Sequence, residues 1–484
     1  MLLAAVLAIG LQPGLVIRNG TLYDGTGGLP RRVDVRIVGD TIRQVGVVDI
    51  GPADAVIDAK DLAVAPGFID AHSHADGGIF DDPDAETQIR QGITTAIVGV
   101  DGGSNYPLRD WFGRLERQPS ALNFASYVGH GTVRKAVMGE EARKAKPEER
   151  RAMEAIVDRE MRDGAIGLSS GLEYQPGRYS DTSELIDLAR AASRRRGLYA
   201  SHMRNEDNQA FEAIDELVSI SREAGLPGQI DHIKLGSARV WGRTSEVFAR
   251  MSKSDVQADV YPYLYWQSTI RVIIATEQFD DRKQWEQGLA DIGGPGHILL
   301  TTFSPNPSWQ GKTIEDLAKT QGKDPISLIQ EIIARCYGPG QKGSESVVVT
   351  AMSNVDLKAF LAHPLVSICS DGGLHGSHPR GAGSFPRVLG HYVREEKTLT
   401  LQEAIRKMTS LPASRFRIKG RGLIAPGKKA DLVLFDPQTV RDTATTQQPQ
   451  SPPVGISTVI VNGVPVLRDG TITHAHPGRP LRRQ

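Results

Sequence analysis

SDTSELIDLARAASRRRGLYASHMR, Ser180 to Arg204, contains one full change of period. Its first part reads as a helix. Asp181 followed three residues later by Glu184 suits a helix start, and Gly197 suits its end. LYASHM then reads as a strand that finishes on a histidine, His202. The same alternation extends on both sides. AIGLSSGLEY, Ala165–Tyr174, reads as strand then loop. DNQAFEAIDELVSISREAG, Asp207–Gly225, reads as a helix with Phe211, Ile214, Leu217 and Val218 on one face. GQIDHIKL and SDVQADVYPY supply two further strands. Repeated βα units imply a parallel sheet. Continued over residues 66–416, they predict a closed (β/α)8 barrel of the TIM type in an α/β protein.

The two ends of the chain have another character. Residues 15–65 and 417–475 show short alternating strands with Gly-bearing turns, as in GLIAPGKKADLVLFDP and ISTVIVNGVPVLRDGTIT. They are expected to fold together as one small β-sandwich. Near residues 267–355 the βα rhythm breaks, which predicts an insertion over the barrel mouth. TTQQPQSPP, Thr445–Pro453, reads as a loop, and the sequence shows no internal repeat.

The chain has 484 residues, with 57 basic and 57 acidic side chains. Zero net charge argues against nucleic acid or an anionic membrane as the main partner, since such binding leaves a basic excess. Two cysteines, Cys336 and Cys369, make no disulfide framework. Cys369 lies in LVSICSD, a stretch that reads as a buried strand. The first residues, MLLAAVLAIGLQPG, are too short an apolar run to span a bilayer as a helix. Residues 1–14 resemble the core of a secretory signal without its basic start. The alternatives are export to the periplasm or beyond, and a cytoplasmic chain with a leading strand.

In a (β/α)8 barrel the chemistry sits where strands run into the following loops. Polar residues gather at those places. PGFIDAHSHAD, Pro66–Asp76, ends its strand with His72 and His74, which alternation puts on one face. Buried together they need polar partners, and a metal ion would satisfy both. TTAIVGVDGG ends with Asp101, GLSSGLEY with Glu173, LYASH with His202, DHIKL with His232 and Lys234, DVYPY with Tyr261 and Tyr263, and VSICSDGG with Asp371. Imidazoles and carboxylates in this combination suit Zn²⁺ and similar ions. A metal lowers the pKa of bound water and polarises a carbonyl; Asp371 can accept the proton and return it to a leaving nitrogen. GLSSG also matches the G-x-S-x-G nucleophile elbow around Ser169. The loop-like LEYQPG that follows lacks the helix an elbow requires.

On these motifs the chain resembles the amidohydrolase superfamily, and within it the N-acyl-D-amino-acid deacylases. SHMRNE, DHIKL and SDGGLHGSHPRGAGSFPRVLGHYVRE carry the likeness further, and it spans nearly the whole chain. The resemblance implies hydrolysis of a small-molecule amide, an N-acyl amino acid, with Zn²⁺ as two divalent ions per chain. It implies one ion on His72 and His74 and another on His202 and His232. It assigns Asp371 as general acid/base, with contact to a metal, and Lys234, Tyr263 and Arg380 facing the substrate carboxylate. Where D-aminoacylases have a metal-binding cysteine in GNCG, this chain has GVDGG with Asp101. Glu173 is therefore expected to bridge the metals, and Asp101 to be a further ligand or to orient a histidine. A dipeptidase or cyclic-amide hydrolase, a deaminase, or a silent binding protein on the same scaffold are the rival readings, and a homo-oligomer stays open.

Overall fold

A computed structural model describes residues 13–483 except 275 and 277. Of the signal-like stretch at residues 1–14, residues 1–12 lie outside the described residues. No helix among the described residues is long and apolar enough to cross a membrane.

The βα units expected from the sequence are present and their strands run parallel. Phe68–Asp70, Ile93–Val98 and Asn123–Ser126 form one parallel sheet. Val128–Gly129, Gly167–Gly171, Leu198–His202, Gly228–Ile230, Val256–Val260 and Val366–Ile368 form a second. Only Tyr127 separates Ser126 from Val128, and its N–H donates to Val98 O at 2.9 Å. The outer ends also meet: Asp371 N donates to His72 O at 2.9 Å, and His74 N to Gly372 O at 3.0 Å. Nearly every residue of these strands is buried, as expected for strands covered on both faces.

Helix Thr182–Arg194 starts where the sequence places it, with the Asp181 side chain accepting from Glu184 N at 3.0 Å. The left-handed residue after it is Arg196 (φ 57°), not Gly197. Gly197 is needed for a different reason, since a Cβ there would stand 2.9 Å from Ala192 O. On helix Ala210–Ala224, Phe211, Ile214, Leu217 and Val218 are buried against the parallel strands.

Two antiparallel-rich sheets account for the chain ends. Leu15–Arg18, Asp34–Val38, Thr41–Gly46 and Ala55–Asp58 make a four-stranded sheet. In a seven-stranded sheet, Ala63–Pro66 pairs antiparallel with Leu432–Phe435, which joins the N-terminal part to the C-terminal strands. Ile17, Ile37, Val64, Leu434 and Ile460 share one core between these sheets, each worth about 1.5–3 kcal/mol of burial.

Between Val260 and Val366 the chain builds a separate antiparallel sheet from Tyr265–Ser268, Ile298–Phe303, Lys312–Thr313 and Glu345–Thr350. Helices Arg282–Asp291, Ile314–Gln321 and Pro325–Tyr337 pack on it around Trp285, Leu300, Phe303, Leu317 and Ile329.

Candidate active site

Every polar residue singled out at a strand end lies at the same end of the parallel strands, where the loops begin. His72 and His74 follow Phe68–Asp70, and Asp101 sits in the turn after Ile93–Val98. Glu173 follows Gly167–Gly171, and His202 closes its own strand. His232 and Lys234 follow Gly228–Ile230, and Asp371 follows Val366–Ile368. Arg380 opens helix Arg380–Arg387.

Asp101 stands at the centre of this group. Its Oδ2 lies 3.4 Å from His72 Nε2 and 3.3 Å from His74 Nε2. Its Oδ1 lies 3.3 Å from His232 Nε2 and 3.9 Å from His202 Nδ1. Asp371 Oδ1 completes the first side, 3.3 Å from His74 Nε2 and 3.7 Å from His72 Nε2. Two sets of donor atoms result, each drawn together within 4.8 Å: His72, His74, Asp101 and Asp371, then Asp101, His202 and His232. Asp101 alone belongs to both.

The turn carrying Asp101 is fixed by its surroundings. Asp101 has φ 53°, a left-handed conformation that a short polar residue tolerates better than most. The backbone packs closely against the next strand: a Cβ on Gly171 would stand 2.2 Å from Asp101 O. The Ser169 hydroxyl donates to Gly99 O at 2.5 Å and accepts from Gly102 N at 3.3 Å. Ser169 is thus a staple of this turn. The next α-helix begins only at Thr182, so the nucleophile-elbow context is missing.

Glu173 lies on the far side of His202 from Asp101. Its Oε2 is 2.9 Å from His202 Nε2, and the donor set it joins contains His202 and Glu206. Among the described residues no hydrogen bond or ion pair joins it to His72, His74 or Asp371. His202 Nε2–H can donate to Glu173, which leaves Nδ1 as the acceptor facing Asp101.

Lys234 and Arg380 both reach the cleft already paired. Lys234 Nζ donates to Glu206 Oε2 at 2.5 Å and lies 2.8 Å from His232 Nδ1. Arg380 Nη1 lies 2.7 Å from Asp371 Oδ2, and its guanidinium stands over the Tyr261 ring. Tyr263, expected at the substrate, turns away: its hydroxyl donates to Asp442 Oδ2 at 3.2 Å. Tyr261 lines the cleft in its place. The strand ends at Val260, so period-two alternation no longer decides which of these tyrosines faces inward. The sequence reading also passed over Glu206, which sits four residues after His202 in the SHMRNE segment, and Asp231, whose Oδ1 lies 3.6 Å from His72 Nδ1.

Charge in the cleft is strongly coupled. Burial opposes ionisation of Asp371, but Arg380, His232 and His74 outweigh it and hold the carboxyl well below the usual range. Burial likewise opposes Asp101, and His72 and His232 hold it down. Burial works against the charged form of His74, yet Asp101 and Asp371 push it up to about 9. Burial and Lys234 lower His232, while Glu206, Asp371 and Asp101 carry it up to about 9.

The donor set fits divalent ions. His72 is fully buried, and neither ring nitrogen has a hydrogen-bond partner, which costs free energy unless something else satisfies it. The surrounding carboxylates favour positive charge, and imidazole with carboxylate is the ligand chemistry of zinc and its neighbours. Neither cysteine joins a donor set among the described residues.

The cleft above these groups has a volume of about 740 Å³. Trp266, Val272, Ile273 and Ile274, from the segment that interrupts the βα rhythm, wall one side of it.

A family model described as "Amidohydrolase family" matches residues 55–467. The D-aminoacylase of Alcaligenes xylosoxydans xylosoxydans is 34% identical, covering 97% of each chain. The N-acyl-D-glutamate deacylase of the same organism is 36% identical, covering 97% of this chain and 96% of its own. A crystal structure of N-acyl-D-glutamate deacylase from Bordetella bronchiseptica, complexed with zinc and a phosphonate mimic of the tetrahedral intermediate, is 32% identical. It covers 98% of this chain and 100% of its own with a TM-score of 0.86.

Proposed function

The chain belongs to the amidohydrolase family, and from that premise we propose that it is a metal-dependent hydrolase of the amide bond in N-acyl amino acids. The observation that carries this reading is the convergence of His72, His74, Asp101 and Asp371 on one side with His202 and His232 on the other. On this reading the two parallel sheets act as one (β/α)8 barrel, continuous at Tyr127 and closed where Asp371 meets His72. The segments at 15–65 and 417–475 form its β-sandwich, and residues near 267–355 roof the mouth.

His72, His74 and Asp371 would hold one divalent ion, and His202 and His232 a second, with Zn²⁺ the natural occupant of such donors. Ions bound there supply acidity to a coordinated water and polarise the substrate carbonyl. The protein's own groups do the rest. Asp371 is kept ionised by Arg380 on Oδ2, and its Oδ1, on the side of His72 and His74, can accept a proton from water. It then returns that proton to the departing amine nitrogen, which would otherwise leave as an unstable anion. Glu173 fixes the tautomer and ring orientation of His202. Glu206 Oε1, 3.2 Å from His232 Nδ1, can accept from that nitrogen and leave Nε2 facing Asp101, while Lys234 holds the other oxygen of Glu206. The remaining N–H groups of Arg380, the Lys234 ammonium and the Tyr261 hydroxyl face the place for the substrate carboxylate. Trp266, Val272 and Ile273 suit an apolar acyl group.

The names of the two curated relatives specify D-amino acids, so the D series is the first to try. The test is a panel of N-acetyl-D- and N-acetyl-L-amino acids, dipeptides and cyclic amides, assayed with zinc-loaded protein. Release of free amino acid from the N-acetyl-D series is expected. Turnover confined to dipeptides, cyclic amides or a deaminase substrate would overturn the reading.

A further inference from the structure

We propose that the end of the parallel strands opposite the metal cleft carries a binding site for a small polyphosphate, gripped by Arg196, Arg417 and Arg483.

A cavity of about 830 Å³ opens there. Ile166, just before strand Gly167–Gly171, and Arg196, just before Leu198–His202, stand on its wall. Most of the remaining wall comes from residues 416–421 and from the C-terminal segment 479–483. That segment is tied beneath the parallel strands. Phe124 N donates to Arg479 O at 3.1 Å, Leu481 N to Phe124 O at 2.7 Å, and Arg483 N to Gly164 O at 3.0 Å. Eight of the lining residues are Lys or Arg, and none is Asp or Glu. The chain as a whole has equal numbers of each sign, so this excess is local.

Part of the charge is already committed. Arg421 pairs with Asp431, Arg482 with Glu116, and Lys429 and Arg479 both with Asp40. Arg196, Arg417 and Arg483 have no ion pair among the described residues. Arg417 Nη1 donates to the Arg196 carbonyl, and Arg483 Nη1 to Ile166 O at 3.3 Å. The three guanidiniums sense one another: burial, then Arg417 and Arg196, lower the pKa of Arg483. Like charges held together repel, and a multiply charged anion among them offsets that repulsion.

The backbone supports the assignment independently. Helix Thr182–Arg194 closes with Gly197 N on Ala192 O at 2.9 Å, and helix Ser410–Arg415 closes with Ile418 N on Ala413 O at 2.8 Å. In each, the residue before the closing one is left-handed, Arg196 at φ 57° and Arg417 at φ 56°. Glycine is the favoured residue at that position, and an arginine holds it against strain. A cation anywhere in the last turn would satisfy the helix dipole. The two left-handed positions are the ones that line the cavity, whereas Arg194, Arg195 and Arg415 do not.

Guanidinium groups match phosphate oxygens in pairs, and three of them suit more than one phosphate. The volume lies within the range of about 300–1,000 Å³ usual for small-molecule pockets. Phe416, Ile418 and Leu481 add apolar surface beside the charges. A duplex or a bilayer would instead need basic groups spread along an outer face.

The probe is inorganic tripolyphosphate, measured by equilibrium dialysis against the zinc-loaded protein. The wild type is expected to bind one equivalent, more weakly as salt is raised, and to unfold at a higher temperature in its presence. R196G and R417G give each left-handed position its favoured residue, so both are expected to fold with a denaturation midpoint close to the wild type. Each should bind tripolyphosphate about 10–100-fold more weakly, the usual loss for a hydrogen bond to a charged group, and keep its hydrolytic activity. Should either fail to fold by circular dichroism, R483Q takes its place with the same expected loss. No binding by the wild type would overturn the proposal. So would binding that persists unweakened in the variants, which would belong to the metal cleft. Capture of phosphatidylglycerol vesicles or single-stranded DNA without tripolyphosphate binding would overturn it too, and make this face a membrane or nucleic-acid surface.

Discussion

Asp371 has one oxygen committed to Arg380 and one facing His72 and His74. That division suits a group that must stay ionised yet meet the reacting water. Replacing it with Asn keeps the size and removes the proposed base. D371N is expected to lose about 10²–10⁴-fold in kcat, the usual reach of a positioned acid/base, while still binding ions through its histidines. Near-normal turnover in D371N, measured by amino-acid release, would move the proton transfer to another residue. The histidines and Asp371 were legible because polar residues that close or follow apolar strands stand out in the sequence, and their chemistry calls for one another. Glu173 and the two tyrosines were not, for one physical reason. Which neighbours they meet depends on turn dihedrals that residue spacing does not encode. Asp101 gave only its position, since its left-handed backbone decides that each oxygen faces a different pair of rings.

At the scale of elements, the strand Gly167–Gly171 does two jobs. It supplies a strand of the six-stranded sheet and it grips the Asp101 turn through Ser169. Ser169→Ala removes a buried hydroxyl with two partners and is expected to cost about 1–3 kcal/mol, read as a lower denaturation midpoint. Hydrolysis should persist in it. Abolished hydrolysis with ion content unchanged would instead restore Ser169 as a nucleophile. The βα alternation was legible because each helix and strand carries its own local period. The sheet within the interrupting segment was not, because Ile298–Phe303 pairs with Glu345–Thr350 across two intervening helices. Such pairing is a property of distant residues, and local alternation says nothing about it. The helix end at Arg196 shows the same limit at shorter range, with Gly197 required for close packing and Arg196 supplying the turn.

At the scale of the whole molecule, the chain ends meet in one sheet, and the parallel strands between them hold the cleft at their loop side. Stability and chemistry are set by separate groups, and pH can distinguish them. Lys407, on helix Leu401–Met408, is fully buried and donates to His363 O and Val366 O. Burial lowers its pKa from 10.5 to about 7. A neutral amine still has the two N–H groups these carbonyls take. Between pH 7 and 10.5 the unfolded chain therefore binds a proton that the folded protein does not, so this group makes stability rise with pH across that window. The slope approaches about 1.4 kcal/mol per pH unit. Lys407→Met should remove it, as measured by denaturant unfolding at pH 7 and pH 9, and an unchanged slope would show that Lys407 stays charged in the fold.

The central claim is that imidazoles and carboxylates from distant strands converge to hold divalent ions over an amide carbonyl. Its most direct test is a chelation and reconstitution series on the whole protein, with metal content measured beside the hydrolysis of an N-acetyl-D-amino acid. Turnover should fall to background in the stripped protein and return as Zn²⁺ is restored to stoichiometric content. Full turnover by protein shown to be free of metal would contradict the account.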